Sequence, residues 1–272
     1  MNYSIAIPSH RRAELFEKKT LEYLRATDVD LSRVFVFVSD AADKAAYEAR
    51  GLGVRIVHER DIANVTEKFN LIHDHFAPGE RVVVMEDDIS LVTGSKDSNA
   101  ERGPLTKLHA AIVAGFDQIP HGGIWGIAPH SNSFYFSGKV TRTLKLAVAH
   151  AFGFVSTRDP WLAVTQRGKS DYERTCRYFV RYGEVIRLDY IGVKTTSYTQ
   201  AGGMQSDHSR TERAAFEHAS CEWLERHFPH LIEINPHKKS LFTELRFKRC
   251  SMDRDELAAY QNVVEEALAA TW

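Results

Sequence analysis

The chain has 272 residues, is 43% apolar and carries a formal net charge of −1. Such a length makes one large α/β domain or two small ones with a real core, and so small a charge offers polyanions no general field, only local basic patches. Cys176, Cys221 and Cys250 form no C-x-x-C pair and no apolar run approaches the roughly 18 residues of a membrane span, which speaks against a disulfide framework, a zinc knuckle and a bilayer, and for a reducing cytosol.

Tyr3 to Ile7 is a short apolar run that stops at Pro8-Ser9 and reads as a strand. Leu15, Phe16, Leu21 and Leu24 stand at helical spacing and predict a helix over 12–25. A second strand over 34–38 ends at Ser39-Asp40 and completes a βαβ unit. A helix over 41–50 closed by Gly51, a strand over 54–57 and a helix over 62–76 follow. The fourth strand is Val82-Val83-Val84-Met85. Such repetition implies a parallel sheet with helices on its faces. Beyond residue 93 the pattern loosens into a Gly/Ser/Asp-rich loop over 93–103 and a helix over 104–118. Strands are predicted over 124–127, 133–136, 151–155 and 185–188, and helices over 172–182 and 209–227. This half reads as a mixed extension of the same sheet, and the lack of an internal repeat or linker favours one domain over 1–272.

The fourth strand runs into three consecutive acids, Glu86-Asp87-Asp88. In open α/β sheets ligands bind at the carboxyl ends of strands, so the acids sit where a site would be. Alternation points Glu86 and Asp88 to one side and Asp87 to the other, leaving two carboxylates to share one hard cation. A polar turn after a strand is the rival reading. His73-Asp74-His75 has the composition of a metal cluster, but residues two apart do not share a helix face. Between 237 and 249, Lys238, Lys239, Arg246, Lys248 and Arg249 face Glu244 alone, with Phe242 and Phe247 among them. That strip reads as a track for a phosphate backbone or as a solvated helix face.

Ile5-Ala6-Ile7-Pro8-Ser9 followed by Arg11 or Arg12, then a helix, then Val34 to Val38 ending at Asp40, then Met85-Glu86-Asp87-Asp88-Ile89, resembles in order and spacing a GT-A nucleotide-sugar glycosyltransferase. From residue 3 to about residue 210 the chain is similar, more narrowly, to the phage glycosyltransferases encoded beside base-oxidising dioxygenases, relatives of the base J glucosyltransferases. The resemblance implies an α/β fold of GT-A type, a Rossmann-like mixed sheet with helices on both faces. It divides the domain into a nucleotide-binding half over 3–92, an acceptor half over 93–235 and a basic C-terminal extension over 236–272. It further implies a UDP-sugar donor and a divalent metal, Mn²⁺ or Mg²⁺. The acceptor would be the hydroxymethyl group of 5-hydroxymethylcytosine or 5-hydroxymethyluracil in DNA, in the cytoplasm of an infected bacterium. Glu86 departs from the usual Asp, which keeps a role at the donor's ribose and puts direct metal contact in doubt.

Carried over residue by residue, Pro8 and Ser9 would hold the uracil and ribose, with Arg11 or Arg12 reaching the diphosphate; a solvated helix start is the alternative for the two arginines. Asp40 would accept from the base or ribose, unless it only forms a turn. Lys68 and Asn70 match donor-contacting positions, and Glu86 and Asp87 stay with the donor. Asp88 is the first metal ligand. The pair Gly202-Gly203 would let backbone approach the donor, and His208 would close the metal site, an imidazole that Mn²⁺ accepts better than Mg²⁺. An acidic pair precedes the 172–182 helix, so Asp171 is expected as the general base of an inverting transfer and Glu173 as its reserve, with helix capping as the rival. Arg174, spaced with Arg177 and Arg181, would join the basic strip in facing DNA. Trp125 and Trp161 flank the acceptor or fill the core. The same donor chemistry on a glycan or protein acceptor, and a non-catalytic nucleic-acid-binding relative, are the alternatives.

Overall fold

A computed structural model describes residues 1–94, 103–195, 209–238 and 240–269. Gly202, Gly203, His208 and Lys239 lie outside them. Strands β1 (Ser4–Pro8), β2 (Val34–Phe37), β3 (Arg55–Val57) and β4 (Arg81–Met85) are parallel, in the spatial order β3-β2-β1-β4. Helices α1 (13–25), α2 (Ala41–Glu48) and α3 (Val65–His75) make the crossovers, as the periodicity predicts. β4 is apolar throughout because it is covered on both faces: Val83 and Met85 enter one core with Phe16, Leu21 and Tyr47, while Val82 and Val84 enter the other with Leu71 and Ile72.

The second half adds β5 (Leu91–Gly94), β6 (Gly103–Pro104), α4 (Leu108–Asp117), β7 (Ile124–Ala128), β8 (Val140–Arg142), β9 (Ala151–Val155), α5 (Ser170–Tyr182) and β10 (Ile186–Lys194). Among the described residues ten strands form one sheet, continuing from β4 as β9-β7-β10-β5-β6, with β8 paired to β10. The first four strands are parallel and the second half makes a mixed extension of the same sheet, as expected. β9 is antiparallel to both β4 and β7, and β7 is parallel to β10, so β4, β7 and β10 all point their carboxyl ends to the same edge. Helix α4 covers one face and α5 the other, the latter with α6 (Arg210–His227) and α7 (Arg254–Ala269). Ser209 opens α6 with a full capping box to Glu212.

Two local expectations fail. Residues 133–136 are a 3₁₀ turn, not a strand, because Asn132 accepts from the Phe134 N–H and curls the chain; the strand lies further on, at β8. The basic strip is not a helix face either: β11 (Ile232–Ile234) and β12 (Leu245–Phe247) pair antiparallel, and Leu245 is buried. Helix α7, not foreseen from the sequence, buries Leu257, Tyr260 and Val264. Among the described residues no helix is long and apolar enough to cross a membrane.

Candidate active site

The acids follow β4 directly, and α1 holds them in place. Its middle turn, Glu17–Leu21, is a π-helix that carries the buried Thr20. Thr20 Oγ1 donates to the Glu86 carbonyl at 2.8 Å and accepts from the Ile89 N–H at 2.9 Å, so one hydroxyl spans the whole acid turn. Such π-bulges occur often at functional sites.

Asp87 turns inward, as alternation requires. Its carboxylate accepts from Ser9 Oγ and, at 3.2 Å, from Arg12 Nη1, while Ser9 Oγ also meets the Tyr47 hydroxyl at 2.5 Å. Burial pushes the Asp87 carboxyl up and Arg12 opposes that. Lys68, 3% exposed, donates from Nζ to the Ser9 carbonyl and to Ser39 Oγ at 2.7 Å. Burial pulls its ammonium down to about 8 against the pull of Asp43, Asp87 and Asp40. These contacts tie together the carboxyl ends of β1, β2 and β4. Ser9, Asp87 and Lys68 therefore shape the donor side from within; Lys68 is not the exposed cation that a diphosphate contact would need. Arg11, exposed at φ 52°, is anchored by its N–H on Asp43 at 3.0 Å. Asp40 caps α2 by accepting from the Asp43 N–H at 2.7 Å, which holds its carboxyl below the usual range. Asn70 spends both ends of its amide on the Val164 backbone, at 2.8 and 2.9 Å, and so braces α3 rather than presenting itself to a donor.

The other side of the acid turn holds the chemistry. His150 stands immediately before β9, whose antiparallel register with β4 brings its carbonyl to the Glu86 N–H at 3.1 Å. His150 Nδ1 donates to Glu86 Oε2 at 2.6 Å. No periodicity marks this histidine in the sequence; pairing of strands 64 residues apart places it. Burial lowers the imidazole, yet the hydrogen bond and charge of Glu86, with Asp171 and Asp88 behind them, raise it overall. Asp88 is 3% exposed and its Oδ1 has no hydrogen-bond partner. Burial, then the charges of Glu86 and Asp87, push its carboxyl up to about 6. A buried carboxylate oxygen without a donor suits a cation. Among the described residues no three His, Cys, Asp or Glu side chains gather as a ligand set.

Asp171 lies in the first turn of α5 and is half-buried. Lys169, in the left-handed region at φ 58°, occupies the N-cap and makes no side-chain capping bond, its ammonium pairing with Glu217 instead, so Asp171 lies inside the first turn and not at the cap. Burial raises its carboxyl, opposed by Arg174, Lys169 and the Tyr172 N–H that donates to Oδ1 at 3.0 Å. Glu173, by contrast, is fully buried: it accepts from the Thr165 and Gln166 N–H groups, each at 2.8 Å, and pairs with Arg177 at 2.7 Å. With both oxygens occupied, it holds a loop and is no reserve base.

Arg174 also corrects the sequence reading. It is 5% exposed, with its guanidinium 3.8 Å above the Phe152 ring and 5.0 Å from that of Phe69, so it reaches no DNA. Arg181 pairs with Asp159. Trp125 and Trp161 are core residues at 3% and 6% exposure. In the C-terminal strip Lys238 pairs with Glu244, and Arg246 and Lys248 with Glu233, an acid just outside the window that made the strip look uniformly basic; Arg249 is exposed. A hollow of about 560 Å³, lined by Arg33, Arg55 and Arg81, opens at the amino ends of the first four strands, opposite the acids.

No protein-family model matches the chain, and a search of curated proteins finds no match. Among solved structures, the crystal structure of S. aureus TarS 1–349 in complex with UDP-GlcNAc is similar over 84% of this chain and 73% of that one, at 14% identity and a TM-score of 0.55. A mycobacterial protein is similar over 95% and 87%, at 11% identity and 0.50. The mannosyltransferase PcManGT from Pyrobaculum calidifontis, in complex with GDP-Man and Mn²⁺, is similar over 68% and 56%, at 17% identity and 0.47. At such identities the likeness concerns the fold, an α/β mixed sheet of GT-A type with helices on both faces.

Proposed function

We propose that this chain is a metal-assisted glycosyltransferase that moves a sugar from a UDP-sugar to the hydroxymethyl group of 5-hydroxymethylcytosine or 5-hydroxymethyluracil in DNA. Asp88 carries the reading: its unpartnered oxygen and its carboxyl, pushed up to about 6, stand at the carboxyl end of a central strand, where this architecture binds ligands. A UDP-sugar complex of a protein with the same fold supports the donor class. Asp88 would hold the metal, with the donor's phosphates and His208. When bound, the metal neutralises charge on the departing phosphate. The chain's own groups do the rest. Pro8 and Ser9, held by Lys68, Asp87 and Arg12, present the end of β1 to the uridine, Arg11 reaches for the diphosphate, and Glu86, oriented by His150, is available to the ribose. The pair Gly202-Gly203 would let backbone approach the donor.

In the transfer, the acceptor oxygen forms a bond to the anomeric carbon as the bond from that carbon to the phosphate oxygen breaks. UDP leaves with the electron pair, and Asp171 takes the hydroxyl proton. Burial suits Asp171 to this, because a raised carboxyl is a stronger base near neutral pH. The configuration at the anomeric carbon inverts.

One experiment tests the whole. The protein is given hydroxymethylated DNA, unmodified DNA and free hydroxymethyl nucleoside with a panel of UDP-sugars and Mn²⁺, and nucleosides are read by mass spectrometry. Transfer to the first alone is expected. Transfer to none of them, beside transfer to a glycan or protein, would move the enzyme to its second reading, which the burial of Arg174 and the ion pairs of the C-terminal strip favour. Binding of DNA with no turnover of any donor would leave a nucleic-acid-binding relative.

A further inference from the structure

The loop between β7 and β8 carries two adjacent aromatic rings that face solvent. Phe134 and Tyr135 are 68% and 67% exposed, well above every other large hydrophobic side chain among the described residues except Val263. Their rings meet edge to face at 5.2 Å, and Tyr135 meets His130 at 5.8 Å, with His130 stacked on Phe136. The platform is braced from below. The His130 carbonyl lies so close to β10 that a Cβ on Gly192 would stand 1.9 Å from it, and Thr93 Oγ1 donates to the Ser131 carbonyl at 3.0 Å. It is also linked to the acid turn through β10. Gly192 is two residues before Lys194, whose carbonyl accepts from the Ser90 N–H at 2.9 Å, and Ser90 is two residues beyond Asp88.

Lys139 follows Tyr135 on the same loop, and Lys194 lies on β10, the strand that braces it. Lys139 and Lys194 are exposed, and neither ammonium has an acidic partner among the described residues. Asp189, the acid beside them, is already shared by Arg187 at 2.5 Å and Lys145 at 3.2 Å. Open ring faces, with unpaired cations on the same loop and on its bracing strand, match a single-stranded nucleic acid, whose bases stack while its phosphates meet the lysines. A core role explains neither ring, since both are mostly in water.

We infer that Phe134 and Tyr135, together with Lys139 and Lys194, are the stacking platform for unpaired DNA bases beside the extruded acceptor pyrimidine, and this rests on the DNA reading above. This loop then takes the place of the C-terminal strip and Arg174 as the DNA-contacting surface. Extrusion is required on that reading, because a hydroxymethyl group on a stacked pyrimidine lies in the major groove while Asp88 is 3% exposed at a strand end.

Fluorescence anisotropy with a labelled twelve-nucleotide thymidine strand tests it, with thermal melting to verify that each variant is folded. F134A/Y135A should weaken binding at least about tenfold, given the usual worth of a base-aromatic stack. F134W/Y135W should restore it, and K139A/K194A should flatten the salt dependence. Wild-type affinity in F134A/Y135A would overturn the inference, leaving the DNA reading to stand on the transfer assay. No binding by the wild-type chain would overturn the inference too, and the transfer assay would decide the DNA reading separately. Loss in the alanine variant of a chain that turns over no UDP-sugar would support the platform and reject the transferase.

Discussion

At the scale of single residues the balance of burial against charge distinguishes the carboxylates. Asp88 keeps its proton up to about pH 6, whereas in the unfolded chain it ionises near the ordinary Asp value. The native state therefore binds more protons across that interval, and metal-free stability falls as pH rises through it, while metal affinity rises over the same window. Asp88→Asn should remove this contribution. In chelator above pH 7 the variant should be more stable than wild type by up to about 3 kcal/mol, with the difference fading towards pH 4, and it should lose its Mn²⁺ response. Urea melts at both pH values decide the matter, and a variant less stable at the higher pH would show that Asp88 has a partner. Asp171→Asn should keep UDP affinity and lose transfer by about a hundredfold or more. Because burial raises the Asp171 carboxyl, the acid limb of the rate profile should sit above the usual Asp range and vanish in the variant. Wild-type transfer by that variant would exclude it as the base. His150 belongs with these residues, although only strand pairing, and nothing local, identifies it.

At the scale of elements, α5 shows how one amphipathic helix divides two neighbouring acids. Asp171, in the first turn, stays half-buried near the acid turn; Glu173, two residues on, points to the opposite side and is enclosed by the 165–166 backbone and Arg177. Residues two apart on a helix do not share a face, so at most one of the pair can serve the site. The sequence offers both with equal claim. Glu173→Gln should therefore act on stability, costing about 3–5 kcal/mol by leaving the buried Arg177 unpaired. Denaturant unfolding beside a transfer assay separates the roles: full stability with lost transfer would return Glu173 to catalysis. The same division applies to α3, where Lys68 and Asn70 turn to separate structural partners, the β1 and β2 ends and Val164.

At the scale of the whole molecule, charge pairing decides which basic surface is open. Neutralising Lys238, Lys248 and Arg249 together should change the salt dependence of DNA binding less than K139A/K194A, since the first two are already compensated by Glu244 and Glu233. A steeper loss from the C-terminal triple variant, read by anisotropy across a salt series, would restore the strip to the interface. The two surfaces differ in a way that no window on the sequence displays: Glu233 reaches the strip across a hairpin, whereas Lys139 and Lys194, on a loop and a strand far apart along the chain, meet no acid among the described residues. The amino-acid sequence by itself determined the alternation of four strands and three helices, the acids at the end of β4 and the helix over 209–227. Apolar period, turn chemistry and capping act within a few residues, so a linear reading captures them. Only the tertiary structure decided that β9 runs antiparallel and delivers His150 to Glu86, that Arg174 is enclosed by Phe69 and Phe152, and that Phe134 and Tyr135 are left in water. Burial and pairing between distant segments depend on which surfaces the folded sheet brings together, and that is a property of the fold as a whole.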